Sequence, residues 1–380
     1  VYKRQLLPSM RAMQFAGEAI ERNPQRIFNC TYKAIESLRD IVDIFYMLLC
    51  GCGVGYSVRE THIRHLPAKK PTHKIACKNG LEHALTETHV IEDTIEGWAN
   101  AVLFLLEAYF HRGLIPHFDY SQIRPAGTIL KTTGGIAPGP EPLKQALTQV
   151  QQIVESLQPF QSLTPLQVSD IICILAHCVL SGGNRRSALI GLFDWDDKEM
   201  YTSKHGNWFE KYPYRSRANI SAMPTYDITF EQFRNYMLGA LEGGWGEPGY
   251  VFTNDVFAEY GVNPCSEIGL RDGGACNLCE INMNAVQNEE HFYKLCRYAS
   301  ILGTIQATFT NFSYVQPIWA NTCKEDALLG VSLTGIRTSL FVHKHLRAGL
   351  LPHVLQLLSL IHISEPTRLL SISYAVFCLK

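Results

Sequence analysis

An amide, a thiol and a carboxylate follow one another at every second position of the segment Asn263-Pro264-Cys265-Ser266-Glu267. Pro264 has no N–H and disfavours helical backbone at the residue before it, so the segment is predicted to be extended. Side chains alternate between the faces of an extended chain, which predicts that Asn263, Cys265 and Glu267 share one face. That face would combine a hydrogen-bonding anchor, a reactive sulfur and a general base, and it is our candidate active site. The alternative is a proline-led strand with a buried, inert cysteine.

These residues resemble the finger-loop motif of ribonucleotide reductases, Asn-Pro-Cys-x-Glu-Ile, and Cys276 resembles the cysteine that opens the following strand. The resemblance implies that Cys265 becomes a thiyl radical, which removes the 3′-hydrogen of a ribonucleotide. It implies that Glu267 handles the 3′-hydroxyl proton and that Asn263 holds the ribose hydroxyls. It also implies that Cys30 and Cys276 supply the electrons that replace the 2′-hydroxyl and end as a disulfide.

The stretch Asn29-Cys30-Thr31-Tyr32 and the later Cys50-Gly51-Cys52-Gly53-Val54-Gly55 resemble the opening of the cobalamin-dependent class of this family. This resemblance implies a ribonucleoside-triphosphate reductase with adenosylcobalamin as cofactor, a ribonucleotide substrate, a (d)NTP allosteric effector and a thioredoxin-like reductant. The large subunit of a di-iron reductase is an alternative, because it shares the finger loop but needs a radical-generating partner. From the residues alone, the three alternate glycines favour tight packing at least as much as phosphate binding.

The segment 131–140 is rich in glycine, proline and threonine and is predicted to be irregular. In the resembled family its counterpart links the allosteric nucleotide site to the substrate base. This assigns Thr133, Gly134 and Gly135 to an effector and substrate loop. A surface loop between two helices is an equally good interpretation of the composition.

The cysteine spacings also allow a different kind of site. Cys50-x-Cys52 and Cys276-x-x-Cys279 together offer four thiolates, which is a ligand set typical of structural zinc. In that alternative the chain is a zinc-stabilised nucleotide-binding module without catalysis. Our preferred interpretation contains no metal site formed by the protein.

The 380 residues are 46% hydrophobic and 18% charged, as in an ordinary globular protein. The formal net charge of −1 lacks the positive excess of nucleic-acid-binding proteins, so no nucleic-acid partner is predicted. Apolar runs such as 101–106 and 171–175 are too short to cross a bilayer, so no membrane association is predicted. The twelve cysteines are scattered singly or as close pairs, which predicts reduced thiols in the cytoplasm.

The pattern of apolar residues predicts an α/β fold. Helices are predicted from Asp93 to Phe110, with Asp93 or Thr94 as the cap, and across 143–157, because apolar residues recur there every three or four positions. A strand is predicted at Leu189–Phe193. The resemblance implies a ten-stranded α/β barrel with the finger loop at its centre, incomplete at its C-terminus.

The resemblance covers roughly residues 20–336. We expect residues 6–336 to be a partial catalytic barrel domain, with an effector and specificity region at about 91–160. Residues 1–5 and 337–380 lack this resemblance. We expect both to be non-native or read-through tails.

Overall fold

The computed structural model of the chain describes residues 5–76, 82–130, 134–180, 188–254 and 259–347. The strands are β1 (Leu6–Pro8), β2 (Cys30–Ala34), β3 (Gly53–Ser57), β4 (Lys74–Ala76), β5 (Glu82–Ala84), β6 (Thr86–Val90), β7 (Ile115–Asp119), β8 (Leu189–Asp194), β9 (Ala218–Met223), β10 (Gly249–Tyr250), β11 (Tyr260–Val262), β12 (Gly269–Arg271), β13 (Ala275–Asn282) and β14 (Leu329–Thr334). Strands and helices alternate along much of the chain, which confirms the predicted α/β fold.

The helices are α1 (Met10–Phe15), α2 (Glu18–Arg22), α3 (Leu38–Cys50), α4 (Glu60–Ile63), α5 (Ile95–Glu107), α6 (Glu141–Ser156), α7 (Pro165–Leu180), α8 (Lys198–Thr202), α9 (Trp208–Lys211), α10 (Phe230–Glu242), α11 (Glu289–Ala307), α12 (Pro317–Asp326) and α13 (Leu340–Arg347). None of the helices in the described ranges combines the length and apolar character that crossing a bilayer requires.

The chain divides into two compact units. The first contains Val1–Thr31 and Glu267–Lys380, and the second contains Tyr32–Ser266.

In the first unit, β13 is the strand around which the others are arranged. It pairs antiparallel with β1 and parallel with β14, and its first residues pair antiparallel with the start of β2. Helix α11 packs on β13 through a core that includes Ile281, Phe292 and Leu295. Asn277, in the middle of the strand, donates to the Leu328 carbonyl at 2.9 Å and accepts from Gln306 of α11 at 2.8 Å. Its buried amide therefore has partners on both sides, as a buried polar group requires.

In the second unit, the strands β3, β8, β9 and β10 pair in that order, and every pair is parallel. Helix α3 lies between β2 and β3 along the chain and is buried along almost its whole length. It begins with a capping box formed by Ser37 and Asp40 and ends at Gly51, which has the left-handed backbone of a C-cap. Asp40 also forms a buried ion pair of 3.1 Å with Lys33. Cap and ion pair together fix the start of the helix relative to β2.

Both predicted helices of the second unit are confirmed, with small differences at their ends. Thr94 caps α5 by accepting a hydrogen bond of 2.8 Å from the Gly97 N–H. After Glu107 the helix widens into a π-helical turn, Ala108–Arg112, so its last turn has a different geometry from the one predicted. Helix α6 covers the second predicted stretch. Around α5, β6 and β7 pair in parallel, as expected of a strand–helix–strand unit.

Candidate active site

The Asn-Pro-Cys segment forms a tight turn, so the prediction of an extended chain is wrong. Strand β11 ends at Val262, and the Ser266 N–H donates to the Asn263 carbonyl at 2.9 Å. This bond closes a β-turn with Pro264 at its second position, where the fixed proline φ is favourable. The chain leaves the turn through Ser266, whose φ of 64° is in the left-handed region. The segment with Pro264 is not helical, as predicted, but it forms a turn and not a strand.

The turn separates side chains that an extended chain would have placed on one face. Asn263 is completely buried, whereas Cys265 is exposed to solvent. The third position of a β-turn projects outward, which explains why this thiol is accessible. The predicted shared face is therefore wrong, and the exposed thiol does not fit the alternative of a buried, inert cysteine.

The strand leading into this turn is held by two close contacts to glycine. A Cβ added to Gly55 of β3 would lie 1.8 Å from the Val262 carbonyl oxygen, and one added to Gly261 would lie 2.0 Å from the ring of Tyr32. Only glycine permits such close approaches. The close-packing interpretation of the Gly53–Gly55 segment is therefore correct for Gly55, which fixes the residue immediately before the turn.

The two cysteines predicted to form a redox pair lie opposite each other in the first unit. Cys30 at the start of β2 and Cys276 in β13 are register partners of the antiparallel pairing. Partners of this kind have Cα atoms about 4.5–5.5 Å apart, which is within the range that a disulfide spans. The Cys276 thiol hydrogen-bonds to the Cys30 thiol. A disulfide between the two cysteines is therefore geometrically possible, and their role as a redox pair stays a prediction.

Electrostatics keep Cys276 protonated. The pKa of its thiol is raised well above its ordinary value, first by the hydrogen bond to Cys30 and then by burial. The charge of Glu267 acts in the same direction. Cys276 is only 2% exposed, whereas Cys30 is half-buried. A neutral thiol is the form that gives up hydrogen, so this environment suits a reductant more than a nucleophile.

Glu267 belongs to the same unit as the thiol pair. Its Oε2 atom is buried and accepts no hydrogen bond from any residue that the structure describes. A buried carboxylate oxygen without a donor is unfavourable by itself, and such atoms in native structures are often reserved for a ligand. A substrate hydroxyl is a suitable donor. Of the predicted residues, Cys30, Cys276 and Glu267 therefore come together in the first unit, and Asn263 and Cys265 belong to the second.

Iodoacetamide at about pH 8 is expected to alkylate Cys265 well before Cys276, because alkylation requires an accessible thiolate. In a Cys30→Ala variant the hydrogen bond that contributes most to the raised pKa is lost. The pKa of Cys276 should then fall, and its alkylation should begin at a lower pH. Mass spectrometry of the cysteine peptides across a pH series measures both effects. A Cys30→Ala chain with the same pH onset as the parent would contradict this assignment, and Cys279→Ala serves as the control.

Two of the four thiols in the zinc alternative do not converge. Cys279 lies three positions after Cys276 along β13, so their side chains leave the strand on opposite faces. The Cys279 thiol donates to the Ala299 carbonyl of α11 at 3.3 Å. Among the residues described, no three His, Cys, Asp or Glu side chains meet as metal ligands. The ten cysteines in those residues are all thiols.

The described residues on either side of the predicted effector and substrate loop pair with each other. Ile129 and Ile136 form an antiparallel bridge, and the Leu130 N–H donates to the Gly135 carbonyl at 2.9 Å. Gly134 and Gly135 have φ values of 70° and 82°, which side chains rarely adopt. Thr133 lies outside the described residues. The two glycines are thus explained by backbone conformation, and their role toward a nucleotide stays a prediction.

Sequence reasoning missed one residue beside the thiol pair. Asn29 precedes Cys30, and its N–H donates to the Cys276 carbonyl at 2.9 Å. Its side-chain Oδ1 accepts from the Leu278 N–H at 3.2 Å. The available signal was an asparagine at a strand start, where its amide can replace a backbone partner.

Comparison with known proteins identifies the relatives of this chain. Residues 74–154 match the family model described as the insertion domain of B12-dependent ribonucleotide reductase. A protein of Mycobacterium phage D29 named as an adenosylcobalamin-dependent ribonucleoside-triphosphate reductase is 28% identical over 336 residues, which cover 74% of this chain and 47% of that protein. The chain resembles the B12-dependent ribonucleotide reductases. The motif-based recognition of that family is confirmed.

Two further comparisons point to the same family of reductases. The adenosylcobalamin-dependent ribonucleoside-triphosphate reductase of Lactobacillus leichmannii is 26% identical over 342 residues, covering 77% of this chain and 44% of that enzyme. A crystal structure of a B12-dependent, class II ribonucleotide reductase superposes with a TM-score of 0.73 at 23% identity, over 90% of this chain and 54% of that one. The chain therefore has a fold like that of the class II structure. It spans about half the length of the curated relatives it matches.

Proposed function

We propose that this chain carries the radical and redox centre of an adenosylcobalamin-dependent ribonucleotide reductase, which converts ribonucleotides to 2′-deoxyribonucleotides. The observation that carries the proposal is the pairing of Cys30 with Cys276 as hydrogen-bonded thiols on adjacent strands, with Glu267 acting on the same thiol. The proposed substrate is a ribonucleoside triphosphate, as in the names of the relatives. A ten-stranded barrel around the finger loop remains part of this proposal.

Four side chains account for every hydrogen atom, proton and electron in the proposed reaction. The thiyl radical of Cys265 takes the hydrogen atom from C3′, and the Glu267 carboxylate accepts the 3′-hydroxyl proton, which helps the adjacent 2′-hydroxyl to leave as water. Cys30 and Cys276 supply two electrons and two protons, one proton for the departing hydroxyl and one for C2′, and become a disulfide. Glu267 then returns its proton to the 3′-oxygen, and Cys265 returns hydrogen to C3′ and is a radical again. The net change is ribonucleotide plus dithiol to deoxyribonucleotide, disulfide and water.

Adenosylcobalamin, when bound, supplies the radical that Cys265 takes up. The observation that fits this cofactor is the exposure of Cys265 at the outer position of its turn, because the thiol must be reachable by a large cofactor. The match to the B12-dependent insertion domain favours this class over the di-iron class, which needs a radical-generating subunit. A thioredoxin-like dithiol protein would re-reduce the pair, and this in turn favours a cytoplasmic location.

We further propose that residues 91–160, which overlap the matched insertion domain, form the effector and specificity region for a (d)NTP. Thr133, Gly134 and Gly135 would belong to the loop through which the effector acts on substrate choice. Asn263 would hold the ribose hydroxyls, for which its amide offers both donor and acceptor groups.

The test is formation of deoxyribonucleotide by the chain, and by the chain joined to the remaining segment of a relative, with adenosylcobalamin and a dithiol. Turnover that requires a metal-containing second subunit would overturn the choice of class. Nucleotide binding without turnover under any of these conditions would support a non-catalytic regulator instead.

Replacement of Glu267 by glutamine is expected to lower turnover by about 10²–10⁴-fold, because the amide cannot accept the hydroxyl proton. The shape of the side chain is kept, so nucleotide affinity should change little. Steady-state turnover and equilibrium binding measure the two effects separately. If turnover stayed within about twofold of the parent, the assigned role would be wrong.

A further inference from the structure

The two cysteines of the redox pair lie at the end of a very short ladder. In the described residues, β2 and β13 are paired through two register pairs, Thr31 with Ala275 and Cys30 with Cys276. The terminal pair of a ladder frays most easily, because one neighbour is missing. A slip of one residue would turn the Cys30 side chain to the opposite face of the strand. The dithiol therefore needs a device that holds this last pair in register.

We propose that Asn29 is that device, a positioning residue that clamps Cys30 opposite Cys276. The inference rests on the proposed function and deepens it. Asn29 binds the two peptide units of β13 that flank Asn277: its N–H donates to the Cys276 carbonyl, and its Oδ1 accepts from the Leu278 N–H. Residues two apart on a strand direct these groups to the same edge, so one asparagine satisfies both.

The hydrogen bond from the Leu278 N–H to the Asn29 side chain takes the place of a third pair in the ladder. The Leu278 N–H points to the edge of β13 that lies beyond the first residue of β2. There the Asn29 amide oxygen accepts the hydrogen bond that a backbone carbonyl would accept if β2 were longer. Both contacts lie within one compact unit. Holding the two Cα atoms at the separation of antiparallel partners keeps the sulfur atoms within the reach of a disulfide.

The readout is the equilibrium between the Cys30–Cys276 dithiol and its disulfide. Asn29→Leu has a similar volume but no acceptor, and we expect the equilibrium constant for disulfide formation to fall about three- to tenfold, as for loss of one hydrogen bond. A tenfold change corresponds to about 30 mV in the potential of this two-electron couple. Asn29→Asp keeps an oxygen at the same place and should restore most of the parent value.

The experiment uses the full chain equilibrated in dithiothreitol redox buffers, followed by acid quenching, alkylation and mass spectrometry of the Cys30 and Cys276 peptides. Cys279→Ala is the matched control, since it removes a group from the opposite face of the same strand. Thermal melting confirms that every variant is folded. A shift in Asn29→Leu that is absent from Asn29→Asp and Cys279→Ala would support the clamp.

Equal potentials in Asn29→Leu and the parent would overturn the clamp while leaving the redox pair intact. A shift of the same size in Cys279→Ala would also overturn it, because general weakening of β13 would then be sufficient. A parent chain that never joins Cys30 to Cys276 would overturn the proposed function itself, and the clamp with it.

Discussion

A chain in which Cys265 is replaced by serine is expected to release no hydrogen from the 3′-carbon of a ribonucleotide. The proposed reaction begins with a sulfur-centred radical, and an alcohol does not replace a thiol in that step. Serine fits the same turn, since the closing bond runs between the backbone atoms of Asn263 and Ser266. The expected loss is therefore chemical, and nucleotide affinity and thermal stability should be unchanged.

The measurement is exchange of tritium from the 3′-position of a labelled ribonucleotide, in the form of the protein that shows turnover. Ser266→Ala is the matched control, because it removes a hydroxyl from the adjacent exposed position while keeping the backbone N–H that closes the turn. Tritium release by Cys265→Ser at the rate of the control would refute the assignment of Cys265.

Replacement of Gly55 by alanine is expected to give the largest loss of stability of any single methyl addition considered. The added Cβ would lie 1.8 Å from the Val262 carbonyl oxygen and 3.0 Å from its carbon. Both atoms belong to the backbone, so the strand must move as a whole. Overpacking typically costs about 1–3 kcal/mol, and we expect about 3 kcal/mol or more here because no flexible side chain can yield.

The same displacement reaches the candidate site, because Val262 is followed directly by Asn263 and the turn. We therefore expect Gly55→Ala to reduce turnover even at temperatures where the chain remains folded. Denaturant unfolding gives the stability change, and Gly269→Ala is the control, since its added Cβ meets no atom within 4 Å. A loss below about 0.5 kcal/mol in Gly55→Ala, the range of ordinary surface changes, would show that the close contact is not essential.

The amino-acid sequence alone indicated the resembled family more reliably than it indicated the geometry of the candidate site. Asn263, Cys265 and Glu267 pointed to the family, and the comparisons confirm that resemblance. Helices α5 and α6 were predictable because apolar periodicity and capping act within one segment, where the deciding contacts are a few residues apart. Local signals of this kind do not depend on the rest of the fold.

The tertiary structure alone decided which residues that are distant in the sequence contact each other. Proline allowed either a strand or a turn after Asn263. The structure has the turn, at the end of a strand that packs against Gly55, which is far away in the sequence. Cys30 and Cys276 are opposed because strands far apart in sequence pair in one register, and sequence order does not encode that register. The same non-local pairing gave Asn29 its two contacts on β13, since the groups it binds exist as an edge only after the strands have come together.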